Sequence, residues 1–594
     1  MRNLKKIESS TPPEWDLSDL YSGMDGQDLE ADLSTSDQTA NSFYKKYHGQ
    51  VGRLSGFDLS KAVEEYEKID EILSKIMSYA QLSHAQNMTD PIFSKFYQTM
   101  QERVTAISAH LVFFGLEINA IPDRSMKQKL KDKSLSKYEP WLRDLRLSRP
   151  HQLNESLERI LHDKHVSGRA AWNRLFDETI ARLRIKIGRE EKTIEQTLNM
   201  LSDNEARVRK LGAKALGKSL GQNVHLFSLI TNTLAKDKET EDRWRGYASP
   251  SAARNLSNRV EDEVVDALGV AVKRSYGNLS HRYYKLKASW FGKQKIDYWD
   301  RNAPIPGSGE TNYSWDAAKD IVLGAYKRFS PELALIGKTF FEKRWIDAAS
   351  REGKAAGAFA HPTVPSAHPY LLLNFMGRPR DVMTLAHELG HGVHQVLASK
   401  QGHLKCETPL TLAETASVFG EMLTFRSMLE QEENLARRKA ILAGKVEDML
   451  NTVVRQIAFY DFELRLHNER IKGELPADKI CDLWLDVQTE SLGPAIRLHE
   501  EYKYYWCYIP HFIHSPFYVY AYAFGDCLVN ALYARYQEAE TGFVDRYLSM
   551  LGAGGTLGHK ELLAPFNLDA SNPDFWSTGL GVVGRLIDEL EEIG

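Results

Sequence analysis

Apolar positions along the chain fall mostly at the three-and-four spacing of amphipathic helices. Leu59 to Ser83, Pro91 to Ile121, Glu190 to Leu220, Glu261 to Phe291, Arg437 to Lys472 and Lys479 to Leu492 all carry it. Apolar runs of strand length are few, the clearest being Pro369-Tyr-Leu-Leu-Leu-Asn-Phe375. The pattern predicts a mainly α fold with one small β-sheet. Pro150 and its polar neighbours make Arg146 to Glu155 a candidate break. There is no solenoid-type repeat and no low-complexity tract.

One amphipathic segment carries chemistry. Val382, Leu385, Ala386, Leu389, Val393, Val396 and Leu397 recur at helical spacing, and the histidines of His387-Glu388-Leu389-Gly390-His391 lie on the other side. Asp381 is the expected N-cap, after the breaker stretch Gly377-Arg378-Pro379-Arg380. Positions i and i+4 stack on one helical face, so His387 and His391 can reach one metal ion. Glu388 projects to the side, where it can polarise a metal-bound water. Strand, turn and metal helix in that order is the layout of zinc peptidases whose edge strand pairs with an extended substrate. Gly390 and Gly392 each cost about 1 kcal/mol inside a helix. They imply either close helix packing or room beside His391 for substrate or a second helix.

A catalytic zinc takes three protein ligands and keeps one position open. His394 shares the face but lies about 10 Å further along the axis, which puts it outside the ligand set. The metzincin arrangement needs glycine at position 394 and histidine at 397, and this chain has His394 and Leu397. What remains is a carboxylate from a second helix beginning near Thr408-Pro409. There Glu414, Ser417 and Glu421 share one face. Glu414 is the candidate ligand, with an ordinary salt-bridged glutamate as the alternative, and Glu421 would orient a histidine ligand through its free ring nitrogen.

The linked pair His387-Glu388-Leu-Gly-His391 and Glu414-x-x-Ser417 resembles the oligoendopeptidase F branch of the thimet oligopeptidase-like zinc metallopeptidases. Trp15-Asp-Leu-Ser-Asp-Leu-Tyr21 and Phe517-Tyr-Val-Tyr520-Ala-Tyr522-Ala extend the likeness to both ends. The resemblance implies a large helical metallopeptidase with a deep substrate cleft and a small sheet beside the metal helix. Residues 1–200 would form an N-terminal helical wall of the cleft and 201–594 the catalytic region. It also implies one zinc ion per chain on His387, His391 and Glu414. Internal bonds of short peptides would be hydrolysed by attack of a zinc-bound water, with Glu388 as general base. In that family a late histidine and tyrosines donate to the substrate carbonyl and oxyanion, which implies His511 with Tyr518 or Tyr520. His514 competes with His511, and read from physics alone the tyrosines are equally a half-buried aromatic helix. An exopeptidase with the same metal core would need a charged cluster to grip a substrate terminus, and no such cluster is recognisable in the sequence. The remaining alternative is an inactive helical peptide-binding scaffold.

Composition narrows the rest. Net charge is -4 with 26% charged residues, which argues against a dedicated nucleic-acid binder. Cys406, Cys481, Cys507 and Cys527 have no close spacing and the first residues have no apolar core, so a cytoplasmic protein is expected. The most apolar stretch, Leu111 to Leu116, is too short to span a bilayer, so no membrane partner is expected. Gly212-Ala-Lys-Ala-Leu-Gly217-Lys218-Ser219 matches the P-loop expression, but a polar, helical segment precedes it instead of a strand. Gly552, Gly554 and Gly555 miss the dinucleotide fingerprint at Leu557 and are expected to form a turn between helices.

Overall fold

The computed structural model describes residues 11–165, 167–305, 312–538 and 541–593. The fold is mainly helical, as the apolar spacing predicts. Three small sheets occur among the described residues, where one was expected. The chain forms two compact units, each built from separated segments. The first comprises Met1–Arg149, Glu310–Gln431 and Ala539–Asn567, and the second Pro150–Gly309, Glu432–Glu538 and Leu568–Gly594. The expected division at residue 200 therefore needs correction. The first crossing falls inside the break around Pro150, and later segments return to complete each unit because their apolar faces pack there.

In the first unit, the helix Gln27–Tyr47 follows Gly26, and the helices Gly56–Gln86 and Pro91–Ser108 start where short polar side chains take up free amides. Ser55 accepts from the Asp58 amide and Asp90 from that of Ile92. Leu33, Phe43, Leu59, Val63, Ile76 and Phe114 fill the space among them. Trp15 packs edge-on against Tyr370, with ring centroids 5.9 Å apart, which joins the N-terminal segment to a three-stranded sheet. In that sheet Tyr370–Phe375 lies between Ile346–Ala349, parallel to it, and Phe359–His361, antiparallel. Its apolar run is buried, as for a strand covered on both faces. The strand is thus central, and the expectation of an edge strand at this position is corrected; Phe359–His361 forms one edge.

The turn after the central strand feeds the helix Pro379–Ala398, called here the histidine helix. It starts two residues before the expected cap. Pro379 supplies the first turn, and Asp381 instead reaches back, accepting from the amides of Met376 and Arg378 at 2.9 and 3.0 Å. The second helix of the site, Thr415–Gln431, crosses it closely. A Cβ at Gly390 would stand 2.5 Å from the Ala416 carbonyl oxygen and 2.6 Å from Ser417 Cα. At Gly392 it would meet the Phe340 ring at 2.7 Å. Both glycines serve close packing, and Gly390 sets how near the second helix comes. Tyr326 wedges between the two helices: its ring lies against Gly420 and its hydroxyl donates to the Ala386 carbonyl at 2.7 Å. The later glycines form the expected turn between Phe543–Leu551 and His559–Leu563, with the Gly555 amide donating to Lys405 at 2.8 Å.

In the second unit, the helix Pro573–Ile593 packs on Tyr520–Gln537 and on Asp262–Ser275. Gly579 lies directly against the Cys527 carbonyl. The P-loop-like run is interior to the helix Ala206–Gln222, and its Gly217 is covered by Glu501 at 2.7 Å from a would-be Cβ. No loop cradles a phosphate there. The expected helix from Glu190 begins instead as a hairpin, with Glu190–Lys192 paired to Ile185–Ile187 around Gly188 at φ +66°.

Candidate active site

His387 and His391 stand one turn apart on the same face of the histidine helix, with their Nε2 atoms separated by 3.2 Å. Glu414 sits at the break between the short helix Leu410–Ala413 and Thr415–Gln431. Its Oε2 lies 3.3 Å from His387 Nε2 and 3.4 Å from His391 Nε2. Among the described residues this is the one group of histidine, cysteine and carboxylate atoms that could hold a metal ion. Three ligands of a tetrahedral ion with bonds of about 2.05 Å stand about 3.3 Å from one another. The observed triangle has that edge, so the donor set would fit a tetrahedrally bound ion such as zinc.

The supporting contacts fix which atoms face inward. Glu421 Oε1 is 2.5 Å from His387 Nδ1. A carboxylate there accepts from Nδ1, which leaves Nε2 facing the centre, where it would ligate a metal that displaces its proton. Ser417 donates to Glu414 Oε2 at 2.7 Å. His394 is turned to Thr408, 3.3 Å away, and stays outside the group as the helical rise requires. Burial pushes its imidazole down to about 4, which keeps it neutral.

Electrostatics favour a cation at the centre. Burial disfavours the charged form of His387, but the hydrogen bond and charge of Glu421, with Glu414 and Glu388 beside it, outweigh that and hold it up at about 9. Burial would raise Glu414, yet the hydrogen bond and charge of His391, the charge of His387 and the Ser417 hydroxyl hold it near 2. Glu388 moves the other way. Its carboxylate is buried, and desolvation lifts it above the usual range by more than the two histidines pull it down. A raised carboxylate is better matched to taking a proton near neutral pH.

The other expected residues belong to the second unit. His511 and Tyr518 are partly exposed with ring centroids 6.3 Å apart, and burial followed by the charge of Arg455 lowers the His511 imidazole. His514 is committed elsewhere, 2.8 Å from Asp177. Tyr520 is a correction: it is fully buried, and its hydroxyl accepts from Asn258 Nδ2 at 2.8 Å, so it presents no free phenol. Tyr522, two residues further on, is the phenol that meets His511, its oxygen 3.3 Å from Nε2. Its i+4 spacing from Tyr518 was the available signal, since that spacing puts both rings on one face.

Two sequence profiles of known families match the chain. One, described as Peptidase family M3, covers residues 330–582, the stretch that holds all of the candidate ligands. The other, described as Oligopeptidase F, covers residues 117–185. Over those residues the chain matches peptidase family M3, and it resembles that family's oligoendopeptidase F branch. Several of its relatives carry the oligoendopeptidase F name. The Oligopeptidase PepF of Bacillus subtilis is 26% identical over 92% of this chain and 82% of its own length. The Oligoendopeptidase F homolog of Lactococcus lactis subsp. lactis is 24% identical over 98% of this chain and 97% of its own. The fold agrees as well. A crystal structure from Chlamydophila abortus superposes with a TM-score of 0.86 at 22% identity, covering 98% of this chain and 100% of the other. The oligoendopeptidase-F of Enterococcus faecium gives 0.69 at 21% identity, covering 96% and 99%. The family M3 match and the oligopeptidase relatives support a peptidase, and the chain carries a His-His-Glu group able to bind a metal.

Proposed function

We propose that this chain is a zinc metalloendopeptidase that hydrolyses internal bonds of short oligopeptides. The observation that carries the reading is the triangle of His387, His391 and Glu414 atoms at 3.2–3.4 Å, with the buried Glu388 next to it in sequence. Zinc held there supplies Lewis acidity, lowering the pKa of water and polarising a carbonyl oxygen. Glu388 accepts the proton of the attacking water and returns it to the leaving amine. His511 and Tyr518 donate hydrogen bonds to the substrate carbonyl as negative charge develops on it. Glu421 and Ser417 hold their ligands in orientation. The four cysteines are free, in keeping with a cytoplasmic setting, and no single described helix is long and apolar enough to cross a membrane.

The test is cleavage of a mixed peptide library by the parent protein and by Glu388→Gln, with metal content measured on both. The expected result is internal cleavage by the parent, about one zinc per chain in each protein, and activity lower by several orders of magnitude in the variant. A variant as active as its parent would sink the role of Glu388. A parent that holds zinc but cleaves no peptide would leave the scaffold reading in its place.

A further inference from the structure

The second unit encloses a cavity of about 240 Å³ whose lining includes Arg301, Arg455, Tyr298, Trp299, Tyr502 and Tyr508. It holds two guanidinium groups and no carboxylate. Among the described residues Arg455 forms no ion pair; its guanidinium lies 5.0 Å from the centre of the Phe459 ring. Desolvation and then the charge of Arg301 both disfavour its cationic form. The Nε of Arg301 is buried without a hydrogen-bond partner, although, against burial, Tyr502 and Tyr284 beside the guanidinium favour its charged form. Nearby carboxylates are already committed to other cations. Asp300 pairs with Arg209 and Lys293 at 2.8 and 3.1 Å, Glu447 with Lys287 at 2.5 Å, and Glu501 lies 4.0 Å from Lys214. Two like charges held close in a largely buried, aromatic-walled space are unfavourable unless an anion joins them.

Such an arrangement, with planar donors for a bidentate partner and flat rings for the attached carbon skeleton, suits a carboxylate. The cavity also borders the candidate substrate histidine: Ile509, two residues before His511, lines it, and the Arg455 charge is felt at His511. We propose that Arg301 and Arg455 bind a carboxylate of the peptide substrate, its C-terminal one, with the terminal side chain against the tyrosine and tryptophan rings. This rests on the peptidase reading above and adds to it what recognises the end of the peptide. The two arginines stand 154 positions apart, so no pattern in the sequence brings them together.

The test measures binding, so it does not depend on turnover. In the Glu388→Gln background, peptides of one sequence are titrated as the free acid, as the C-terminal amide and as an amide ending in aspartate. Fluorescence of Trp299 and Trp484, which line the cavity, reports occupancy. The free acid is expected to bind roughly tenfold to a hundredfold more tightly than the amide. Arg301→Gln and Arg455→Gln abolish that preference, and Arg455→Lys, which keeps the charge, retains part of it. Variants that still bind the amide are folded, so loss of preference in them is specific. An aspartyl amide that matches the free acid supports carboxylate binding but assigns it to a side chain. Equal affinity for acid and amide in the parent, or a preference that survives both glutamine variants, overturns the proposal alone. Failure to bind any of the peptides overturns it together with the peptidase reading.

Discussion

At His387 the two ring nitrogens have separate tasks: Nδ1 gives its hydrogen to Glu421, and Nε2 faces Glu414 at 3.3 Å, where it would ligate a metal. Replacing Glu421 with alanine removes the acceptor that fixes this tautomer. Zinc affinity is then expected to fall by about 10–100-fold, which competition against a chelator of known strength measures. Tyr518→Phe is expected to slow turnover by about a hundredfold, whereas Tyr520→Phe, altering a buried hydroxyl bonded to Asn258, leaves it near the parent rate. Comparable kcat values for the two variants would remove the distinction drawn between them. The histidine pair, Glu388 and the glutamate face were all legible in the sequence, because each follows from helical spacing alone. The choice among tyrosines was not. It depends on which way a helix rolls against its neighbours, and periodicity does not give that.

The geometry of the site rests on how closely two helices approach. Gly390 permits the contact, since any side chain there would strike the backbone at Ala416 and Ser417. Gly390→Ala is therefore expected to destabilise the protein by roughly 1–3 kcal/mol in denaturant titrations. It would also weaken zinc binding, because the helix carrying Glu421 and the adjoining Glu414 must shift. A variant with parent-like affinity would show that the histidine helix alone fixes the site. Elements were legible in existence and type more than in their ends and pairings. Asp381 reads as a cap by residue type, yet the proline two positions earlier takes the first turn and leaves Asp381 to reach back. The apolar run after Pro369 reads as a strand. That it is central depends on two partners elsewhere in the chain, which local pattern cannot supply.

For the molecule as a whole, zinc is expected to act as a stabilising ligand. At a free concentration one hundred times its Kd it adds about 2.7 kcal/mol, so chelation lowers the melting temperature. His387→Ala/His391→Ala is expected to melt identically with and without chelator, and a continued response would place the metal elsewhere. A separate dependence on pH comes from Glu463. One carboxylate oxygen accepts from the Phe517 amide at 2.9 Å, the other has no hydrogen-bond partner, and burial pushes the group up to about 8. Unfolded, such a carboxyl titrates near about 4.3. Folding therefore favours the protonated form. Its contribution is fully present below the unfolded value and is lost as pH rises through about 8. Urea titrations are expected to show stability falling by on the order of a few kcal/mol across that window, with a flatter profile in Glu463→Gln. Parallel profiles would remove Glu463 as the cause.

The interleaving of the two units was not legible in the sequence beyond its first crossing near Pro150, and it bears on how the chain is made. A ribosome adds residues in order at roughly 5–20 per second. The histidines, Glu388 and Glu414 are all present once residue 414 has emerged, yet their unit still lacks Ala539–Asn567, and the other lacks the segment from Leu568. Neither unit can close its core early, so a half-made chain exposes apolar helix faces for tens of seconds and depends on holding factors to stay unaggregated.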